Sequence, residues 1–165
     1  MQIPYRKPGK FSLVKQDPHI TRAKFIELQN KLDKLKNYSR PVAAAEVSRL
    51  AELGDFSENA EYQHAKGKLR GTNSAILSIE IQLNNALIIE LNPSDTVNIG
   101  NTVTIEIGDK RKKYQILGST ETSPERGIIS HNSPIGSALL GHKVNDVFNV
   151  KIAGKEAVCR ILKIE

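Results

Sequence analysis

Leu53-Gly54-Asp55-Phe56-Ser57-Glu58-Asn59-Ala60-Glu61-Tyr62-Gln63 divides two long stretches of helical sequence, and its reading decides the fold. Upstream, Phe25, Leu28, Leu32 and Leu35 follow 3-4-3 spacing with Lys and Asp between them. That is an amphipathic helix with a narrow apolar seam. Thr21 is placed to cap it after Pro18. Val42, Ala45, Leu50 and Leu53 prolong the apolar face, with a register shift near Ser39, Arg40 and Pro41, where Pro41 bends the helix or divides it in two. Downstream, roughly from Ser57 to Glu90, Leu69, Ile76 and Leu83 recur every seven residues, and Thr72, Ile79 and Ala86 form the companion series. Gly67 and Gly71 weaken the first turns of this second helix. Only a few residues around Gly54 to Phe56 join the helices, so they fold back as an antiparallel hairpin. At ~1.5 Å per residue, ~30 residues make a rod ~45 Å long, thin and mostly exposed.

Beyond Leu91 to Asp95, a linker by composition, the period becomes two. Val103-Thr-Ile105-Glu-Ile107 alternates and stops at Gly108-Asp109, a hairpin signal, with Tyr114 to Leu117 as the partner strand. Ile128-Ile129-Ser130 reads as a short strand. Ile135 to Leu140 reads as a short helix, with Ser133 capping, Pro134 at its first position and Gly141 at its end. Val147 to Ile152 pairs across Ala153-Gly154-Lys155 with Ala157 to Ile164. Cys159, in the last strand, is expected to be a small buried hydrophobe.

The charge is uneven. The chain of 165 residues has 24 Lys and Arg against 18 Asp and Glu, a net +6. Residues 1–50 hold eleven bases and four acids, and Lys66, Lys68 and Arg70 are basic again past the turn. Yet Glu52, Asp55, Glu58 and Glu61 recur every third residue, and no Lys or Arg lies between Leu50 and Ala65. A basic rod thus ends in acid. Asp55-x-x-Glu58 fits a capping box, and acids suit a helix N-terminus. The same spacing turns both carboxylates one way, which suits a magnesium ion held by one or two carboxylates plus waters. The two readings are compatible, since capping also orients the pair. Two exposed carboxylates are a weak site alone and become useful where another macromolecule supplies further ligands.

Composition excludes much else. With one cysteine, no disulfide framework or Cys-built zinc site forms within the chain. His19, His64, His131 and His142 are scattered without H-x-x-x-H or H-x-H spacing, which argues against a His-built metal site. No apolar run approaches the ~20 residues a membrane helix needs, and no P-loop, G-x-S-x-G or G-x-G-x-x-G string occurs. Aromatics at 5% cannot form rows of base-stacking rings.

Gly54 to Tyr62 reads G-D-x-x-E-N-A-[ED]-Y at the end of a helical hairpin, and so resembles the tip signature of the bacterial Gre transcription elongation factors. The resemblance runs from about Pro18 to Glu165. It includes Arg40-Pro41 in the first helix, Ile129-Ser-x-Asn-Ser-Pro-Ile135 and Ala138-Leu-Leu-Gly141. The arm at 1–17, basic through Arg6, Lys7, Lys10 and Lys15, lies ahead of the part that resembles the family. The resemblance implies an α+β protein: an antiparallel α-helical coiled-coil hairpin at 18–91 and an FKBP-like, β-rich polymerase-docking domain at 92–165. It further implies a cytoplasmic monomer whose sheet domain docks at the rim of the secondary channel of bacterial RNA polymerase, and whose rod passes down that channel. At the polymerase active site Asp55 and Glu58 would help hold a Mg2+ ion, and the polymerase would then cut the RNA 3′ end of a backtracked complex. The factor would donate ligands without being an enzyme itself. Asn59, Glu61 and Tyr62 would support the tip, with Glu61 as a further ligand or a plain helix-N-terminal acid. Lys66, Lys68 and Arg70 would steer RNA phosphates. Ser133, Pro134 and Ile135 match a family string in the docking domain. The alternative function is a channel-occupying regulator that promotes no cleavage.

Overall fold

Thr21 starts the first helix as expected: its hydroxyl accepts from the Lys24 amide at 3.1 Å. In the computed structural model, which describes residues 17–52, 60–90, 94–108, 110–152 and 155–165, helix α1 spans Arg22–Lys34 and helix α2 spans Arg40–Glu52. The basic leader through residue 16, residues 53–59 with Asp55, Phe56, Glu58 and Asn59, and residues 91–93, 109 and 153–154 lie outside the described residues.

Leu35–Ser39 joins α1 to α2 as a π-helical turn. Pro41 has no N–H to offer the carbonyl four residues back, and a wider turn takes up one extra residue there. The consequence is a rotated seam. Val42 is 50% exposed and Ala45 is exposed, whereas Ala43 and Leu50 are buried and Val47 is half-buried. The seam expected on Val42 and Ala45 therefore runs through Ala43 and Val47 instead, and rejoins the expected face at Leu50.

Helix α3 spans Ala60–Asn84 and packs antiparallel along α1 and α2, burying Ala65, Ile76 and Ile79. It was expected to reach Glu90. Instead the chain turns at Asn85, and strand β2, Leu87–Ile88, runs parallel to strand β1, His19–Ile20. The Leu87 amide donates to the Pro18 carbonyl at 2.8 Å and the Ile89 amide to Ile20 at 2.9 Å. These bonds staple both ends of the hairpin together, and Ile20, Leu28 and Ile79 pack above the staple.

The second half forms one five-stranded sheet. Strands β3 (Thr102–Ile107) and β4 (Lys110–Leu117) make the expected antiparallel hairpin, β5 (Ile128–Ser130) adds parallel to β4, and β6 (Val147–Ile152) pairs antiparallel with β7 (Lys155–Ile164). The order is β5-β4-β3-β7-β6. Val103, Ile105, Ile116, Cys159 and Ile161 line its inner face, and Leu139 of helix α4 (Pro134–Leu139) covers them. The architecture is the α+β arrangement expected: helical hairpin, then β-rich domain.

Two carboxylates tie the halves reciprocally. Glu121 accepts the Thr21 amide at 2.7 Å and the Thr21 hydroxyl at 2.6 Å. Asp17 accepts the Ser119 amide at 2.7 Å and hydroxyl at 2.9 Å. The backbones meet so closely that a Cβ on Gly118 would lie 1.8 Å from the His19 carbonyl oxygen.

Candidate functional site

The described residues reach the tip from both sides, at Glu52 of α2 and Ala60 of α3. Glu61 stands in the first turn of α3, where a carboxylate complements the helix dipole. The nearest cation on α2 is Arg49, whose guanidinium grips Glu46 through Nη2 at 2.8 Å and Nε at 3.0 Å. That fork holds the Glu46 carboxyl below its ordinary range, with Lys68 adding to the effect. Glu46 in turn raises Arg49, and the charge of Glu61 contributes in the same direction. On α3 the Lys66 ammonium lies over the Tyr62 ring, 5.2 Å from its centre, a cation–π contact. The cations that flank the acidic turn are thus engaged within their own helices.

The three bases grouped in the sequence do not share one face. At about 100° per residue, Lys66 and Arg70 point one way and Lys68 another. Lys68 lines a groove of about 1200 Å³ between α2 and α3, together with Val42, Glu46, Arg49, Glu61 and His64. Lys66, half-buried against Tyr62, and Arg70, exposed, lie on another side of the rod. Asp55, Glu58 and Asn59 lie outside the described residues.

In the sheet domain, Ser133, Pro134 and Ile135 form the turn from β5 into α4. The Ser133 hydroxyl donates to the Ser130 carbonyl at 2.7 Å and accepts the Gly136 amide at 3.0 Å, and Pro134 opens the helix. Ile135 packs against the core. A Cβ on Gly136 would come within 2.1 Å of the Ser130 carbonyl oxygen, so the turn is tight. Ser133 and Ile135 therefore carry structural duties, while Pro134 is exposed.

A third cluster has no counterpart in the spacing along the chain. His19, beside Asp17, and His131, from the turn after β5, meet at the domain junction. The His19 Nδ1 is 3.0 Å from one carboxylate oxygen of Asp17, and the His131 Nδ1 is 3.4 Å from the other. The two rings stand edge-on with centres 5.1 Å apart. Burial pushes the Asp17 carboxyl up, but the Ser119 and His19 amides and side chains outweigh it and bring it down to about 2. Spacing along the chain had argued against such a grouping, because the two histidines are brought together only by the docking of the halves.

The chain matches two family models that adjoin along it. Residues 19–88 match "Transcription elongation factor, N-terminal", and residues 92–165 match "Transcription elongation factor, GreA/GreB, C-term". It is 40% identical over 149 residues to transcription elongation factor GreA of Macrococcus caseolyticus, covering 88% of this chain and 94% of that protein. It is 39% identical over 155 residues to GreA of Staphylococcus epidermidis, covering 92% and 98%. Among solved structures, GreA factor homolog 1 of Thermus thermophilus is similar at 25% identity, covering 88% of this chain and 97% of that chain, with a TM-score of 0.41.

Proposed function

The chain belongs to the GreA/GreB family of transcription elongation factors, and from that premise we propose that it rescues backtracked bacterial RNA polymerase by stimulating cleavage of the extruded RNA 3′ end. The observation that carries this reading is the acid-only stretch at the free end of an otherwise basic rod, with Asp55 and Glu58 both present in the family string Gly54 to Tyr62. The β-rich domain docks at the rim of the secondary channel, and the staple and the two carboxylate ties hold the rod for insertion. Lys66 and Arg70 run beside the RNA backbone, where phosphate neutralisation favours binding.

Asp55 and Glu58 would hold the second Mg2+ of the polymerase's active centre. A donor set of two carboxylates without imidazole or thiolate suits that hard cation. The ion supplies charge stabilisation to the phosphodiester being cut. The chain's own part is to bring the two carboxylates into place and withdraw them, with Glu61, Asn59 and Tyr62 supporting the tip. The work is done in the cytoplasm, where transcription takes place, by a monomer that is not itself an enzyme. Among the described residues no helix is long and apolar enough to cross a membrane.

The test is to add the chain to backtracked complexes of its cognate polymerase with magnesium and to measure the lengths of released RNA. Short fragments and resumed elongation are expected. Inhibition without any released RNA would replace this reading with that of a channel-occupying regulator.

A further inference from the structure

We infer that Asp17, His19 and His131 form a binding site for a divalent transition-metal cation of the zinc class, and that the bound ion clamps the helical hairpin onto the sheet domain. The ligand atoms of all three side chains lie within 4.8 Å of one another. Two imidazoles and a carboxylate suit zinc and its neighbours in the first transition row, whereas magnesium favours oxygen alone. The site is thus chemically separate from the tip.

The distances fit this class of ion. Bonds of about 2.0–2.1 Å in a tetrahedron put neighbouring ligand atoms ~3.3 Å apart. Asp17 meets each imidazole through a different oxygen, Oδ1 at 3.0 Å from His19 Nδ1 and Oδ2 at 3.4 Å from His131 Nδ1, each close to that edge length. The group is also held in advance. The Ser119 amide and hydroxyl fix one Asp17 oxygen, and the His19 amide fixes the other at 3.1 Å. Such outer hydrogen bonds orient a ligand carboxylate. The Asp17 and His131 side chains are only 6% and 13% exposed, while His19, at 34%, leaves an entry path.

Binding through both Nδ1 atoms requires that each neutral ring carry its proton on Nε2; the ion's coordination bonds then take the place of the Nδ1 contacts with Asp17 and of the 3.4 Å contact of His131 Nδ1 with the Leu117 carbonyl. A fourth position is left to water. Without the ion the same geometry serves as two imidazole–carboxylate contacts across the junction. With it, the ion bonds to residues on both sides, because Asp17 and His19 precede the hairpin and His131 follows β5. Binding energy for the folded arrangement then becomes stability of the junction.

The experiment uses the full-length chain without a tag, titrated with zinc chloride in a calorimeter, with cobalt(II) absorption as a second readout. One zinc per chain is expected, with a cobalt spectrum of four-coordinate type and a rise in melting temperature on adding zinc. His131→Ala keeps the Asp17–Ser119 bonds and should still fold. It should weaken zinc binding by more than the roughly 10–100-fold that loss of an outer-shell partner costs, and abolish the melting shift. His64→Ala, remote in sequence and on the rod, should bind zinc as wild type does. The absence of saturable zinc binding by the wild-type chain, or equal binding by His131→Ala, overturns the proposal.

Discussion

The helical hairpin and the sheet domain draw on the same apolar residue types but shield them to different degrees. In the sheet domain Val97, Val103, Ile105, Ile116, Leu139 and Ile161 are all 0% exposed, because helix α4 and the sheet enclose one layer from both sides. On the rod the best-buried residues, Ala43 and Leu50, retain 3% exposure, and Ile26, Leu77 and Ile81 are 47%, 58% and 47% exposed. Two helices can exclude water only along the seam where they touch. The rod gains reach for its length and little core, while the sheet domain supplies the firm base from which it projects. Stability is accordingly concentrated in the sheet domain, away from the tip to which the proposed function assigns the chemistry.

The largest effect that tests this contrast is expected at Ile105. Ile105→Ala removes a fully buried side chain and should cost the sheet domain about 3–4 kcal/mol in urea unfolding. A loss no greater than that of an exposed rod residue would break the distinction.

The junction should be separable from both cores. Gly118→Ala forces a Cβ onto the His19 carbonyl and should cost about 2–3 kcal/mol, through displacement of the backbone. Amide exchange at Leu87 and Ile89 should speed up while that at Ile105 and Ile116 stays slow. Uniform acceleration would show that the halves are one cooperative unit.

A smaller effect is expected from pH. Asp17 titrates at about 2 in the fold against an ordinary 3.8. Its folded value is depressed, so its stabilisation is present above the unfolded value and is lost as pH falls from about 4 toward 2. Wild type should lose about 1–2 kcal/mol over that window, and Asp17→Asn should lack this component in acid titrations of the same amides.

The smallest change should be a gain. A Cβ at Gly67 or Gly71 meets nothing within 4 Å. Each change to Ala should therefore stabilise α3 by about 0.5–1 kcal/mol through helix propensity and unfolded-chain entropy. Thermal melts followed by helical circular dichroism would check it, and destabilisation would mean that the rod packs more tightly there than the contrast allows.

Local patterns made most of this fold legible. Thr21, the alternation in β3, the Gly108 turn and the Ser133-Pro134 helix start are each encoded within a few residues. The seam beyond Leu35 was displaced because a π turn adds one residue with no mark of its own except Pro41. The end of α3 was overrun because Leu87-Ile88-Ile89 continues an apolar run, and only Asn84-Asn85 hinted at a stop. The junction was invisible. Thr21 and Glu121 are 100 residues apart, Asp17 and Ser119 are 102 apart, and no periodicity links them. The tip acids, by contrast, stood out as a break in charge, and the grouping of Lys66, Lys68 and Arg70 needed the helix to show that Lys68 faces elsewhere.

The most direct test of the central claim is Asp55→Ala combined with Glu58→Ala in a transcript-cleavage assay on backtracked cognate polymerase, with occupancy of the polymerase measured in parallel. The double variant should bind nearly as well as wild type and release no RNA in magnesium. Wild-type cleavage by a double variant that occupies the polymerase to the same extent would contradict the assignment of the chemistry to the tip.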